Sequence, residues 1–111
     1  MIENQYAVKI MPLAEGHIKK IADYISFRLM SPLAADNWLV EVGKQIKSLS
    51  AFPSSHPLVD KEPWRNKGVR KLLIKNFIAY FKVDEEKKLV SVIGVVYGKM
   101  DQLKQLKQMK F

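Results

Sequence analysis

The sequence predicts an α+β fold in which an N-terminal strand leads into an antiparallel helical hairpin packed on an antiparallel sheet, closed by a short C-terminal helix. Three observations lead there. Apolar residues recur every three to four positions between about residues 13 and 51, the mark of amphipathic helices. They alternate, or run together in short stretches, between residues 69 and 97, the mark of strands. The connections between those strands are too short for crossovers, so neighbours run antiparallel.

Residues 6–11, Tyr-Ala-Val-Lys-Ile-Met, alternate in polarity and end at Pro12, which predicts the first strand. The period then changes. Ile18, Ile21, Ala22, Ile25 and Leu29 share one face, with Lys19, Lys20, Asp23 and Arg28 between them, so a helix is expected over residues 13–30, weakened in its first turn by Gly16. Ser31 and Pro32 stop it and start another, because a serine hydroxyl caps a helix and proline suits the first helical position, where no amide hydrogen is needed. Ala35, Leu39, Val42, Ile46 and Leu49 carry the second helix to about residue 51. So short a link makes the pair a hairpin, and each apolar stripe needs a covering layer.

Residues 52–67 contain Pro53, Pro57 and Pro63 beside Ser54, Ser55 and His56, and read as a long ordered loop. Such loops are often functional, although tucking Phe52, Leu58 and Trp64 against the core is a sufficient structural reason for one. After Gly68, strands are expected at residues 69–74, 77–83 and 89–97, parted by Lys75-Asn76 and by the charged stretch 84–88. The last is apolar on both faces, as a central strand is. Asp101 then opens a tail in which Leu103 and Leu106 stand among Lys104, Lys107 and Lys110, a short basic helix that frays unless something holds it.

At 111 residues the expected organisation is one domain, residues 1–111, and 48% hydrophobic with 27% charged residues is a globular balance. No stretch approaches the roughly 18 apolar residues of a membrane span, and residues 1–5 have no basic cluster ahead of an apolar run. A cytoplasmic protein without a membrane partner is expected. The absence of cysteine removes disulfides, thiolate chemistry and cysteine-based metal sites.

The net charge of +8 is segregated. Residues 1–60 hold six basic and six acidic side chains, whereas residues 61–111 hold thirteen against five, and 13 − 5 = +8. A one-sided positive field favours a polyanion or an acidic partner. If Lys75-Asn76 is a two-residue turn, Lys71 lies opposite Tyr80 and Val69 opposite Lys82 on one face of the sheet. Leu72, Ile74, Phe77, Ala79, Phe81 and Val83 then form the other face, toward the hairpin. Lysines mixed with a tyrosine on an open sheet suit single-stranded RNA, through phosphate contacts and base stacking, although edge lysines also serve simply to block aggregation. Arg70 falls on the apolar side by parity, where a structural contact to a carboxylate or to the long loop is at least as natural as a functional one. Phosphate-cradling glycine loops, metal-ligand clusters and nucleophile elbows are missing, and His17 and His56 have no spacing that argues for ligation or catalysis.

Taken together, the order of elements and several phrases resemble the RelE/ParE superfamily of type II toxin–antitoxin toxins. The phrases are Tyr-Ala-Val-Lys-Ile at 6–10, the Phe52-Pro53 turn, Gly-Val-Arg-Lys-Leu at 68–72, Asn-Phe-Ile-Ala-Tyr-Phe-Lys-Val-Asp at 76–84, and Val-Val-Tyr-Gly-Lys-Met-Asp at 95–101. The resemblance implies a RelE/ParE-like α+β fold and a toxin neutralised by a cognate antitoxin. It further implies one of two targets: the ribosome and its mRNA, cut by a metal-independent, cofactor-free endoribonuclease, or DNA gyrase, poisoned without nuclease chemistry. The nuclease is the leading expectation, with a non-toxic basic RNA-binding module as a third possibility. Carried onto this chain, the nuclease would use Lys71, Tyr80, Tyr97 and Lys99 as its catalytic set, with Arg65, Lys67, Arg70 and Lys82 contacting nucleic acid. Two positions depart from the nuclease pattern, Ile78 and Met100, where arginines are expected; each missing guanidinium contact removes about 2 to 4 kcal/mol of transition-state stabilisation.

Overall fold

The computed structural model describes residues 5–99 and 102–109. The elements appear in the expected order: β1 (Ala7–Ile10), α1 (Pro12–Asp23), α2 (Pro32–Lys47), β2 (Arg70–Ile74), β3 (Phe77–Asp84), β4 (Leu89–Tyr97) and α3 (Gln102–Lys107). Met100 and the expected cap Asp101 lie outside the described residues.

The first helix does not run uniformly to residue 30. From Tyr24 to Arg28 it widens into a π turn, with the Leu29 amide donating back to Tyr24 O, and it ends at Met30 in the left-handed region. The cap expected of Ser31 is present, its Oγ accepting the Ala34 amide at 3.3 Å, with Pro32 in the first turn behind it. The second helix closes with a single 3-10 turn, Ser48–Ser50, whose last carbonyl accepts the Tyr6 amide and so ties the end of the hairpin to the start of β1.

The sheet order is β1-β4-β3-β2. The pairing of β2 with β3 has the expected register, Lys71 opposite Tyr80 and Leu72 opposite Ala79, and β3 pairs antiparallel with β4. β1 differs, joining the edge of β4 in parallel, Ala7 beside Leu89 through Ile10 beside Val92. Short loops dictate direction only for the strands they join. A strand succeeded by an entire helical hairpin is free to pair either way.

Between Phe81 and Tyr80 the register on β4 jumps from Val92 to Gly94, leaving Ile93 as an extra residue. A bulge of this kind reverses the parity of the residues beyond it. Val90 and Val92 face the helices before it and Val95 after it, whereas Ile93 and Val96 face the opposite side.

Each side of the sheet is covered. On the hairpin side, Ala14, Ala22, Trp38, Val42, Ile46 and Leu49 pack against Leu72, Ile74, Ala79 and Phe81, with Phe77 and Val83 at the margin, which is the face expected from parity. Trp38 meets Phe77 edge-on with ring centroids 5.1 Å apart. On the other side, Val59 and Trp64 from the long loop and Leu106 and Met109 from the C-terminal segment cover Val69, Ile78, Tyr80, Ile93 and Val96. That side is therefore not an open sheet surface. The loop of residues 52–67 is ordered by packing through Pro53, Val59 and Trp64, whereas Phe52, one of the three residues offered as a structural anchor, is exposed in a left-handed conformation. No helix among the described residues is long and apolar enough to cross a membrane.

Candidate functional surface

The residues expected to form one site separate into three environments. Lys71, on β2, and Lys99, after β4, line a common groove of about 320 Å³ together with Leu73, Lys75, Asn76, Phe77, Ile78 and Gly98. The groove exists because the β2–β3 turn and the end of β4 meet there. The Gly98 amide donates to Asn76 O at 2.7 Å, and a side chain on Gly98 would press on that carbonyl at 3.1 Å. Lys75, in the left-handed region at the turn, brings a third ammonium to the same rim. In the sequence Lys75 reads only as a turn residue. Its proximity to Lys99 depends on how the hairpin meets the end of β4, which no local pattern encodes.

Tyr80 is not in this groove. It stands on the expected face, opposite Lys71, but only 1% of it is exposed, beneath the layer that contains Trp64, Leu106 and Met109. Burial raises its pKa above the ordinary tyrosine value, which makes ionisation at neutral pH less accessible. A base cannot stack on this ring without removal of the covering layer. Parity assigns the face correctly; what it does not reveal is whether a further layer lies on top.

Tyr97 is partly exposed at the end of β4 and packs on the opposite side, its ring 5.5 Å from Phe77. Ile78, at the position where an arginine is expected in RelE-like nucleases, is buried among the second-face apolar residues.

Arg70 is half-buried and committed to structure: Nη1 donates to His56 O at 2.6 Å, and β2 extends toward the loop through the Leu58–Arg70 bridge. Of the two structural contacts open to it by parity, the one to the loop is the one formed. Arg65 is exposed but also bonds the loop, Nη1 donating to Val59 O at 3.2 Å. Lys67 and Lys82 line a separate cleft of about 570 Å³ at the far end of β3, with Asp84, Glu85 and Glu86. Two ammonium groups among three carboxylates leave no positive excess there, so this cleft does not extend the basic groove toward a polyanion.

Glu85 also has a structural task. It accepts from the Tyr6 hydroxyl at 2.7 Å and from Ser54 Oγ at 3.0 Å, and these hydrogen bonds hold its carboxyl below the ordinary range. The same contact with Glu85 raises the Tyr6 pKa. The β3–β4 turn is thereby joined to β1 and to the loop.

The groove that remains is lined by three lysines together with the apolar side chains of Leu73, Phe77 and Ile78. Among the described residues its lining offers ammonium groups, an amide and backbone, with neither an imidazole nor a carboxylate. It can hold an anion or an acidic chain segment. A second exposed feature lies at the tip of the hairpin, where Phe27, Leu29, Met30 and Leu33 stand out, Met30 at 83% exposure. Large apolar side chains gathered this way on a surface are characteristic of protein contacts.

Comparison with known proteins agrees with the architecture. The chromosomal ParDE toxin–antitoxin system of P. aeruginosa superposes with a TM-score of 0.69 at 22% identity, covering 85% of this chain and 97% of that one. The toxin–antitoxin complex RelBE2 of Mycobacterium tuberculosis gives a TM-score of 0.52 at 16% identity, covering 84% and 98%. At these identities the two likenesses establish the RelE/ParE-like fold. No curated protein matches the sequence at a significant level. The family of the ParE toxin of the type II toxin–antitoxin system, parDE, matches residues 8–102, nearly the whole hairpin-and-sheet unit, and the chain therefore belongs to the ParE toxin family.

Proposed function

We propose that this toxin, paired in one module with a cognate antitoxin, acts by binding a protein target, with DNA gyrase the target its family resemblance implies, and not by cutting ribosome-bound mRNA. The burial of Tyr80 carries this reading. Cleaving RNA through its 2′-hydroxyl needs one group to take a proton and another to give one. With Tyr80 under the C-terminal segment, Ile78 in the core and Tyr97 packed on Phe77, the described residues lining the basic groove offer charge for binding and neither a carboxylate nor an imidazole. The apolar tip of the hairpin supports the same reading, because exposed phenylalanine, methionine and leucine favour a protein surface over a phosphate backbone. The antitoxin is inferred from the company the fold keeps, since both similar structures are toxin–antitoxin assemblies. An acidic segment of such a partner has a natural counterpart in Lys71, Lys75 and Lys99.

The deciding experiment adds purified toxin to a gyrase supercoiling assay and, in parallel, to translating ribosomes. Supercoiling is expected to fall in proportion to toxin while ribosome-bound transcripts stay intact, and antitoxin is expected to reverse the effect. Transcripts cut at ribosome-occupied codons, with gyrase untouched, would instead return the chain to the nuclease class. In that class Tyr80→Phe should abolish the activity, whereas a binding toxin retains it.

A further inference from the structure

β1 stops pairing with β4 at Ile10 beside Val92, so beyond that point β4 is an edge strand whose outward amides need other partners. The Ile93 bulge shifts which residue faces outward there, with Ala79 still opposite Val95, and the Val95 amide donates to His17 Nδ1 on α1 at 3.1 Å. An imidazole nitrogen accepts only when it carries no proton, so the ring here is neutral, with its hydrogen on Nε2. Beside this bond, a side chain on Gly94 would press on its neighbours. A Cβ there would lie 2.6 Å from Met109 Cε, 2.7 Å from Met109 Sδ and 3.2 Å from His17 Cε1. Three segments distant in sequence thus converge on one point: α1 through His17, β4 through Gly94 and Val95, and the C-terminal segment through Met109. The last of these is the segment that, with Leu106, helps to cover Tyr80, Ile93 and Val96.

We propose that His17 is an acid-sensitive clasp, which in its neutral form holds the β4 bulge and, through the Gly94–Met109 contact, the C-terminal segment on the sheet, and which loosens both when it is protonated. Protonation turns Nδ1 from an acceptor into a donor facing the Val95 N–H, leaving that amide without its partner. Lys20, one turn further along α1, is the charged group that bears on the ring. β4 presents Gly94 and Val95 and the C-terminal segment presents Met109, none of which titrates. Burial first, and then Lys20, lower the His17 pKa from its ordinary value of 6.5. Proton uptake sets the sign of the effect. With the folded-state pKa below the unfolded one, the unfolded chain binds more protons as pH falls through 6.5. The clasp's contribution is therefore complete above that pH and declines beneath it until the folded-state pKa is passed. Loosening would bare an apolar face of the sheet that is covered at neutral pH, changing which surface the toxin offers.

Amide exchange at Val95 and the methyl signal of Met109, monitored by NMR between about pH 7.5 and about pH 5.5, test this. Relative to the intrinsic rate, protection of Val95 in the unaltered protein is expected to fall severalfold as the ring takes up its proton. The Met109 signal should move with the same midpoint. His17→Asn, whose Oδ1 accepts in place of Nδ1 and does not titrate, should keep Val95 protected at both pH values. Unchanged Val95 protection in the unaltered protein, an equal acid response in His17→Asn, or a Met109 signal that ignores pH would each overturn the clasp. If His17→Asn does not fold, the His17 ring is titrated directly in the unaltered protein. A midpoint at or above the ordinary histidine value overturns the proposal, and a lower midpoint shared with Val95 upholds it.

Discussion

The two faces of the sheet bury similar kinds of side chain under very different covers. The hairpin face lies beneath two helices of 12 and 16 residues, each anchored along its length by small and branched residues such as Ala14, Ala22, Val42 and Ile46. The second face lies beneath a proline-rich loop and a helix of six residues, which meet it through Val59, Trp64, Leu106 and Met109. A long helix distributes its hold over several turns, so losing one contact leaves the others to fix the gap. A single helical turn is held by one or two side chains and moves when one is lost. Stability therefore belongs mainly to the first face and adjustability to the second. The second is also the face that hides Tyr80.

The contrast is broken most severely at its firm side. Phe81 is fully buried against the hairpin and touches the His56 ring edge-on at 5.9 Å. Phe81→Ala should lower stability by about 4 kcal/mol, because two long helices cannot close over the cavity. Urea denaturation gives the number, and a loss under about 2 kcal/mol would show that the hairpin is as yielding as the other cover. The matching cut on the second face, Leu106→Ala, should cost about 2 kcal/mol, the low end for leucine, since the C-terminal segment can shift to refill the space. Hydrogen exchange should show the loss confined to α3 and to β3–β4 residues beneath it. Spread across the hairpin, it would make the two faces one cooperative unit.

How far the sequence reaches can be judged from the same contrast. Helical spacing and strand alternation locate the hairpin, the register of β2 against β3, and much of the hairpin-side core, although Leu29 and Leu39, expected on the buried stripes, are exposed while Ala14 and Trp38 are buried. Tyr80 shows where that logic ends. Its parity is correct, and its burial depends on Trp64, Leu106 and Met109, residues 16 to 29 positions away that no local period connects to it. A clue is present in β4, whose apolar residues on both faces imply covers on both sides. The bulge at Ile93 is invisible for another reason, since a single inserted residue changes the facing of its successors without altering composition. His17 inherits that blindness: its partner is a β4 amide beyond the end of β1, and the bulge decides which residue supplies it. The groove is half legible, with Lys71 and Lys99 expected together and Lys75 added by the turn.

Gly94 sharpens the comparison at a smaller scale. The atoms that a new Cβ would meet first are the flexible end of Met109, while His17 Cε1 lies slightly farther off. Gly94→Ala should cost about 1 kcal/mol, at the low edge of overpacking, since the methionine can swing away. In a Met109→Ala background the same substitution should be close to neutral. A double-mutant cycle measures the coupling, and strict additivity would mean that Met109 does not rest on Gly94 in solution.

The smallest effect on stability, and the largest on function, is expected at the groove. Lys71 and Lys99 lie at the rim, outside both covers, and neither forms an ion pair among the described residues that its removal would break. Lys71→Ala with Lys99→Ala should change stability by no more than about 0.5 kcal/mol, the usual range for surface positions. Antitoxin binding should weaken, and its dependence on salt should flatten, because screening acts on charges that have been removed. Titration calorimetry at low and high salt separates the outcomes. If affinity and salt slope match those of the unaltered toxin, the acidic partner docks elsewhere, and the segregated charge of the second half of the chain serves some other contact. If affinity drops while supercoiling inhibition persists, the groove belongs to the antitoxin, and the exposed hairpin tip, with Phe27, Met30 and Leu33, becomes the surface to test against the target.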